Sequence, residues 1–372
     1  MKLHFNQSTS GVALIIVMIS VVALSILAGI FAFRMKVEAR LAMNSNNDAS
    51  MEWAARSAAE YAKMKLGEEM KAGVPDSLGS YWAGGVGAGA TGLTNDLLES
   101  FPITYELGKA QITIGKLVDL ERFANINAAN EEQLELALTL MGVDVGEFPV
   151  MVNSILDWID PDQVERPQGA ESEFYEALEV PYYAKDGPID DLSELLRIKG
   201  FPWELYDAYS PDFVPAQARS EASRRLGFNA DVPVYNVGFK QLFTPVSTGK
   251  INISTAGREV LQLLPGVDEY TAEGIIKLRA GLDGVDGTED DIPFRNPGEI
   301  INAGINPGVV QRVIPFCDVR SRTFEAPITV SVGGYTKNYR AIIVRNNPRD
   351  LQVISFQPVN ESGGLAQPEP EM

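Results

Sequence analysis

Histidine and cysteine are almost absent from this chain, which holds one of each in 372 residues. His4 lies close to the start, so the residues after it contain no histidine for a serine–histidine triad or for a zinc site. Cys317 has no partner within the chain, which excludes an internal disulfide. Its apolar neighbours, Ile314 to Phe316, indicate a small buried hydrophobic residue.

Basic residues are also scarce, since 31 lysines and arginines stand against 50 aspartates and glutamates. The net charge is -19, and a surface of this sign repels nucleic acid and anionic lipid over most of its area. The hydrophobic fraction of 45% and the charged fraction of 22% are typical of a globular protein. The length suffices for one large domain or two ordinary ones.

Charge is missing altogether from residues 12–33. As a helix these 22 residues rise about 33 Å, enough to cross the hydrocarbon core of a bilayer. A cleaved secretory signal is the alternative interpretation. The apolar run is longer than a signal core, and it is followed by Arg34 and Lys36 instead of a small-residue cleavage site. We therefore predict a membrane-spanning helix.

The eleven residues before this span, MKLHFNQSTSG, are polar and end in glycine. This start resembles the leader of type IV pilins and pseudopilins. The resemblance implies that a prepilin peptidase cuts between Gly11 and Val12, and that the new amine of Val12 is methylated. It also implies a single-pass protein of the inner membrane, with the N-terminus inside the cell and the globular part in the periplasm.

One position departs from most members of the pilin family. The family carries a glutamate at the fifth residue after the cut, and here that residue is Ile16. The family glutamate pairs with the terminal amine of a neighbouring subunit in the filament. A subunit without this carboxylate cannot neutralise the amine of a subunit above it, so the resemblance implies a place at the filament tip.

The pattern of apolar residues predicts an α+β fold, in which a long, pilin-like N-terminal helix packs on an antiparallel sheet. The helix is expected to reach about Met70, and small residues between Met51 and Ala62 form a face suited to a sheet. Strand-like segments flank a helix-rich region, at 103–107, 111–114, 328–332, 340–344 and 351–356. We therefore predict a large all-α domain inserted into a pilin-like domain. Two domains in series would leave an isolated hairpin, which is marginally stable.

This interpretation divides the chain into six segments. They are a leader at 1–11, a transmembrane helix at 12–33, the first part of the pilin-like domain at 34–120, the inserted domain at 121–318, closing strands at 319–360 and a tail at 361–372. The tail is rich in glycine, proline and glutamate, a composition that predicts disorder.

A repeat lies within the predicted insertion. Residues 125–129 read NINAA and residues 252–256 read NISTA, with Glu and Leu following each at matching offsets. These copies resemble helix-hairpin-helix (SAM-like) units, which are common in DNA-binding proteins. Such a hairpin offers backbone N–H groups to phosphate, with basic residues nearby. Here the second hairpin carries Asp268 and Glu269, which would repel phosphate, so we favour a packing role without nucleic acid.

Three short phrases add to the leader, the missing glutamate and the strands that flank an insertion. They are DWIDPD at 157–162, SEL at 193–195 and NISTA at 252–256. Together they resemble the minor pseudopilin K family of type II secretion systems. The resemblance implies a non-enzymatic subunit at the pseudopilus tip, with minor pseudopilins I and J and the cytoplasmic-membrane secretion platform as partners. It would nucleate assembly and support export of folded proteins across the outer membrane. A membrane-tethered DNA-uptake protein is the alternative, and a metal-dependent hydrolase is a third.

A glycine-rich loop gathers five acidic residues within nine positions. They are Asp283, Asp286, Glu289, Asp290 and Asp291. Hard oxygen ligands on a flexible loop suit Ca²⁺, although the spacing is not that of an EF-hand. A calcium site and a solvated acidic loop both stay open. The pseudopilin K resemblance favours calcium, because the helical domain of that family can carry it.

A second acidic group lies earlier in the chain and comprises Asp160, Asp162, Glu171 and Glu173. For Asp160 and Asp162 two interpretations stay open, Ca²⁺ ligands and helix capping, whereas the preceding Asp157 is interpreted as a structural residue beside a buried Trp158. Neither acidic group has a paired nucleophile, so we predict no catalytic site. Four aromatic residues of this region are predicted to pack in the core or in the hairpins: Tyr182, Tyr183, Trp203 and Tyr206.

Overall fold

The computed structural model describes residues 10–71, 75–85, 87, 99–207, 237–288 and 290–359. Most of the predicted leader and all of the predicted tail lie outside these residues. The first helix is α1 (Ser10–Lys71). The later helices are α2 (Glu131–Met141), α3 (Phe148–Ile159), α4 (Ser172–Glu176), α5 (Phe239–Leu242), α6 (Arg258–Leu261), α7 (Glu269–Arg279) and α8 (Pro307–Val313).

The strands of the described residues fall into one large sheet and two short pairs. They are β1 (Ile103–Leu107), β2 (Ala110–Ile114), β3 (Val118–Asp119), β4 (Ala124–Asn125), β5 (Phe243–Thr244), β6 (Ile251–Asn252), β7 (Cys317–Asp318), β8 (Thr323–Val332), β9 (Tyr335–Asn347) and β10 (Asp350–Val359). Short 3-10 turns connect several of them, among them Leu120–Arg122 and Leu192–Arg197.

Helix α1 contains 62 residues and is therefore about 93 Å long. Its side chains from Leu14 to Met43 are exposed, and the most apolar window there has a mean hydropathy of 2.9. Among the described residues it is the helix that is long and apolar enough to cross a membrane. The predicted long N-terminal helix is confirmed, and its apolar half is compatible with a membrane anchor.

The second half of α1 packs on the large sheet through small side chains. Its buried residues are Met51, Ala54, Ala55, Ala58, Ala59, Ala62 and Leu66. Their spacing of three and four residues places them on one helix face, as the sequence predicts. The opposing sheet residues Ile112, Phe324 and Ile343 are also fully buried, so helix and sheet share one hydrophobic core.

The large sheet has the order β1-β2-β8-β9-β10, and β3 pairs with the start of β8. All of these pairs are antiparallel. The strands thus come from both sides of the intervening region, as predicted. Strand β8 begins at Thr323 instead of 328, because Pro327 does not interrupt it. Pro327 lies between the part of β8 that pairs with β3 and the part that pairs with β2.

The residues between β3 and β8 form a second hydrophobic core. Its buried members run from Ala124 to Val319, and none of them belongs to the core under α1. Cys317 is one of these buried residues, and burial raises the pKa of its thiol to about 12. The region is rich in short helices but also holds two parallel strand pairs, β4 with β5 and β6 with β7. Its assignment as an inserted all-α domain with these boundaries stays a prediction.

The two copies of the repeat fold alike at their first residue. Asn125 Oδ1 accepts a hydrogen bond from the N–H of Asn127 at 2.8 Å, and Asn252 Oδ1 accepts one from the N–H of Ser254 at 2.9 Å. Each asparagine ends a short strand, and each copy then leads into a pair of helices, α2 with α3 and α6 with α7. The helix-hairpin-helix assignment itself stays a prediction.

Helices α2 and α3 form a hairpin that positions an acidic turn at its far end. The Asn130 side chain accepts a hydrogen bond from the Gln133 N–H at 2.9 Å, and the Gln133 side chain accepts one in return from the Asn130 N–H, so α2 begins with a capping box. Gly142 ends it with a φ of 78°, a left-handed conformation that favours glycine. Helix α3 then buries Ile155, Trp158 and their neighbours, and ends at Ile159.

Candidate metal centre

The turn after α3 brings three carboxylates together. Asp160 and Asp162 follow the last residue of α3, and Glu171 precedes the first residue of α4. One carboxylate oxygen from each lies within 4.8 Å of those from the other two. The structure thus joins the two predicted ligands Asp160 and Asp162 to Glu171, while Glu173 is exposed and outside the group.

Glu171 is the most deeply placed acid of the group, with 4% of its surface exposed. Neither of its carboxylate oxygens has a hydrogen-bond partner among the described residues, and the same holds for Asp160 Oδ1. Burial, followed by the charges of Asp157 and Asp160, raises the pKa of Glu171 to about 7. A buried carboxylate without donors needs a proton or a cation to offset its charge.

Asp157 has a structural role, which agrees with its interpretation from sequence. Its Oδ2 accepts hydrogen bonds from the N–H groups of Arg166, at 3.2 Å, and Ala170, at 2.9 Å. Its Oδ1 forms an ion pair of 2.8 Å with the Arg166 guanidinium, which also binds Asp160. These bonds fold the segment between α3 and α4 back over the end of α3, so Asp157 holds the loop on which Glu171 is placed.

Asp186 is a fourth acid beside this group. Its charge contributes to the raised pKa of Glu171, and its Oδ1 has no hydrogen-bond partner among the described residues. Its Oδ2 accepts a hydrogen bond of 2.6 Å from Gln163 Nε2. The sequence contains no local signal for Asp186, because tertiary folding alone brings its loop to the turn after α3.

The donor set fits a hard cation. Ca²⁺ takes six to eight oxygen ligands, and carboxylates with unshared oxygens are the groups that bind it. The group lacks the thiolate and imidazole ligands that zinc sites usually contain. Asp160, Asp162 and Glu171 would supply the carboxylate ligands. The orphaned oxygens of Glu171 and Asp160 are the observation that supports this fit.

The acidic loop at 283–291 is arranged differently. Asp286 forms an ion pair with the buried Arg279. Asp290 accepts hydrogen bonds from Leu282 and Asp283, at 2.6 Å and 3.1 Å, and these bonds, after that from the Thr288 hydroxyl, lower its pKa.

The remaining acids of this loop also have internal partners where they are described. Asp291 accepts a bond of 2.8 Å from the Gly287 N–H, while burial raises its pKa, and Asp283 accepts one of 2.7 Å from the Val285 N–H. Glu289 lies outside the described residues. The four described carboxylates thus bond to groups of the protein itself, as Asp157 does. Calcium binding at this loop stays a prediction.

The four aromatic residues predicted to be in the core separate into two pairs. Tyr182 and Tyr206 pack against the second core, and Tyr182 stacks on Tyr175 at 5.2 Å between ring centroids. Tyr183 and Trp203 are 72% and 57% exposed, so the prediction that they pack in the core is wrong for these two. The residue types indicate burial, but a short loop and a single 3-10 turn place these side chains towards solvent.

Both hairpin turns carry carboxylates where a phosphate would need free N–H groups. Asp144 Oδ1 accepts a hydrogen bond of 2.8 Å from Gly146, and Asp268 Oδ1 accepts one of 2.8 Å from Thr271. These contacts cap the segments that follow each turn. The arrangement gives no support to the DNA-binding alternative, since the negative charge lies at the tip of each hairpin.

Gly11 and Val12, the residues of the predicted processing site, lie in the first turn of α1. The cut between them and the methylation of Val12 stay predictions.

The match to a known family begins at the last residue of β2 and includes the candidate metal centre. The family model for type II secretion system (T2SS) protein K matches residues 114–214. The chain is 26% identical over 192 residues to type II secretion system protein K of Pectobacterium carotovorum subsp. carotovorum. Over this region the chain therefore matches the protein K family of type II secretion systems. The recognition made from the leader and the short phrases is therefore confirmed.

The protein K matches cover only part of the relatives. The alignment with the Pectobacterium protein spans 45% of this chain and 58% of that protein. A putative type II secretion system protein K of Escherichia coli K12 is 31% identical over 100 residues, which is 26% of this chain and 30% of that protein.

A solved structure supports the fold over a longer range. It is the crystal structure of the GspK-GspI-GspJ complex from the type 2 secretion system of enterotoxigenic Escherichia coli. The match has a TM-score of 0.60 at 18% identity and covers 86% of this chain and 99% of that chain. The fold, with a long N-terminal helix and an antiparallel sheet, is therefore similar to that of this solved structure.

Proposed function

We propose that this chain is a minor pseudopilin that occupies the tip of the type II secretion pseudopilus. The observation that carries the proposal is an apolar residue, Ile16, in the membrane-side part of α1 of a chain that matches the protein K family. Ile16 has no carboxylate to offer to the terminal amine of another subunit. The terminal amine of a subunit stacked above this one would therefore be buried without a countercharge.

The shape of the chain supports the same position. The far half of α1 carries the sheet, and the residues from Ala124 to Val319 add a second core to it. A subunit stacked above would have to pass its own helix beside this additional mass. Steric exclusion and the missing countercharge both favour a site with no neighbour on one side.

The partners follow from the solved relative, which is a complex of GspK with GspI and GspJ. We propose that this chain likewise assembles with minor pseudopilins I and J, and that the assembled tip starts the pseudopilus on the cytoplasmic-membrane platform. It would then support export of folded proteins across the outer membrane. In this role the chain is a structural subunit and not an enzyme.

Insertion of the chain follows the predicted leader. The apolar half of α1 would span the inner membrane with the N-terminus inside the cell, and the sheet and second core would lie in the periplasm. The prepilin peptidase would cut before Val12, leaving the span in the mature subunit.

The leader can be tested by replacing Gly11 with valine in the full chain and measuring the intact mass of the membrane-extracted protein. The expected result is a protein that keeps its first eleven residues and no longer supports secretion. Ser10→Ala is the matched control and should be cut normally. A Gly11→Val protein that is cut at the wild-type position and still secretes would refute this assignment.

The partners can be tested by co-expressing the tagged full chain with minor pseudopilins I and J of the same organism and purifying it in detergent. Retention of both partners through size exclusion, at a fixed ratio, is expected. A chain that elutes alone, while the two partners still bind each other, would argue against this assembly.

We further propose that the group formed by Asp160, Asp162 and Glu171 binds Ca²⁺. The metal would supply a positive charge to carboxylates that otherwise have few donors, and it would fix the loop between α3 and α4. Bound Ca²⁺ should therefore raise the thermal stability of the chain, as any ligand of the folded state does.

A calorimetric titration of the detergent-solubilised chain with CaCl₂ tests this metal site. Glu171→Gln should weaken the affinity about tenfold or more, because it removes a charged ligand. Glu173→Gln removes the same charge two residues away on an exposed side chain and should leave the affinity unchanged. Equal Ca²⁺ affinities for the two variants would place the ion elsewhere.

A further inference from the structure

A cavity of about 190 Å³ lies where the end of α1, the start of β8 and the end of β9 meet. Buried residues form its floor, namely Asp76, Ser80, Ser321 and Arg345. Arg320 and Arg322 line it as well and are exposed, so they form its rim. The volume is enough for several water molecules or for one small ligand.

Arg345 is the central charge of the floor and has 2% of its surface exposed. Its Nε and Nη2 donate to the carbonyl oxygen of Ser321 at 3.2 Å and 3.1 Å, and Nη2 also pairs with Asp76. The guanidinium lies over the Phe324 ring at 4.7 Å. Its third nitrogen, Nη1, is buried and has no hydrogen-bond partner among the described residues. A buried donor of this kind requires an acceptor.

The acidic residues of the lining are already engaged. Asp76 accepts from the Ser321 N–H at 2.9 Å and from the Trp82 indole at 3.3 Å, in addition to Arg345. Glu69 accepts from two successive backbone N–H groups, at 2.9 Å and 3.2 Å. Asp318 accepts from the N–H of the next residue at 2.8 Å. Among the described lining residues, the buried polar atom without a partner is therefore a donor, Arg345 Nη1, while burial, followed by the charge of Asp76, raises the pKa of Glu69 to about 7.

The rim adds two more guanidinium groups. Arg320 and Arg322 form no ion pair with any residue that the structure describes, and both line the same cavity as Arg345. Arginine binds planar and tetrahedral oxyanions through two parallel N–H bonds. The three arginines share the lining with three acids, Glu69, Asp76 and Asp318, so an anion would be held by directed N–H groups and not by a net positive charge.

We propose that this cavity binds a small oxyanion, a phosphate or a carboxylate, held by Arg345 on the floor and by Arg320 and Arg322 at the rim. The ligand would join the end of α1 to the sheet and to the segment that enters β8. A lipid headgroup is an unsuitable source. Glu69 is far along α1 from the end of the apolar run at Phe33, about 54 Å at the rise of an α-helix.

The test is a calorimetric titration of the full chain in detergent with inorganic phosphate and, separately, with acetate, at constant ionic strength set with chloride. Arg345 is not altered, because its loss would disturb the fold. The rim variant Arg320→Gln/Arg322→Gln removes two exposed charges. The control Arg312→Gln/Arg349→Gln removes two exposed arginines that do not line the cavity.

Saturable binding of one of the two anions is expected, weakened about tenfold or more in the rim variant and unchanged in the control. Phosphate binding alone indicates a free phosphate ligand, whereas acetate binding alone indicates a carboxylate. Absence of saturable binding by either anion would overturn the proposal. Equal affinities of the rim variant and the control variant would overturn it as well, because binding would then be non-specific.

Discussion

The hydroxyl of Thr255 donates a hydrogen bond of 2.5 Å to the carboxylate of Asp119, and both residues are buried. Asp119 ends β3 of the large sheet, whereas Thr255 belongs to the second copy of the repeat. The same Asp119 oxygen accepts from Ser321 Oγ at 2.6 Å and from Asn252 Nδ2 at 3.3 Å. Burial raises the pKa of Asp119, and the hydrogen bonds from the hydroxyls of Ser321 and Thr255 oppose that shift. One carboxylate therefore connects the two hydrophobic cores.

Replacing Thr255 with valine removes one donor from this carboxylate at nearly constant shape. We expect a loss of about 1–3 kcal/mol in the free energy of unfolding, because Asp119 stays buried with fewer bonds. Tryptophan fluorescence during urea unfolding of the detergent-solubilised chain measures it. Thr139→Val, on the exposed face of α2, is the control and should change the free energy little. Similar values for both variants would show that the Asp119 connection is unimportant.

Glu121 lies beside Asp119 and gives the chain a pH-dependent stability. Burial, and after it the charge of Asp119, raises the pKa of Glu121 from 4.5 to about 7. Between those values the folded chain binds the proton more tightly than the unfolded chain does. The contribution of Glu121 to stability is therefore largest at low pH and is lost as the pH rises towards 7.

Glu121→Gln removes this titration. The hydroxyl oxygen of the protonated Glu121 carboxyl can still accept a hydrogen bond, whereas the amide nitrogen of glutamine cannot. Because the N–H groups of Thr248, Arg322 and Thr323 need both oxygens, the variant should be less stable than the wild type near pH 5. The difference should shrink by up to about 3 kcal/mol by about pH 8, as wild-type Glu121 becomes a buried charge. Urea unfolding at several pH values measures this, with the exposed Glu132→Gln as control. A stability difference that grows with pH would contradict a raised pKa for Glu121.

Sequence patterns predicted the parts of the fold that depend on local periodicity. The apolar run and the alanine face specify α1 and the sheet below it, and the hairpin at 103–114 pairs as expected. The start of β8 at Thr323 was missed, because proline is disfavoured inside strands and Pro327 lies four residues after this start. In the structure Pro327 lies between the residues that pair with β3 and those that pair with β2. The exposed Tyr183 and Trp203 were missed because residue type alone does not specify which way a loop side chain points.

The candidate metal centre was predictable only in part. Asp160 and Asp162 are close in sequence to the end of an amphipathic helix, so their proximity follows from the chain. Glu171 joins them because Asp157 and Arg166 fold the intervening segment back, and Asp186 comes from a separate loop. The connection of Asp119 to Thr255 had no sequence signal, since it depends on how the two cores meet.

Gly169 permits the close approach of the loop to Asp157. A Cβ atom at this position would lie 2.0 Å from Asp157 Oδ2, which accepts the two backbone bonds that hold the loop. Gly169→Ala should therefore displace the loop and weaken Ca²⁺ binding about tenfold or more, with a lower unfolding temperature. Gly187→Ala is the control, because its nearest neighbour would be at 3.7 Å. Equal Ca²⁺ affinities for the two alanine variants would show that the position of this loop does not affect Ca²⁺ binding.

The tip position is the central claim, and immunogold labelling of pseudopili tests it most directly. An antibody against the region between residues 120 and 319 would be applied to filaments sheared from cells that produce the full chain at its normal level. The account predicts gold at one end of each filament and none along the shaft. Gold repeated along the shaft, with other subunits on both sides, would contradict it.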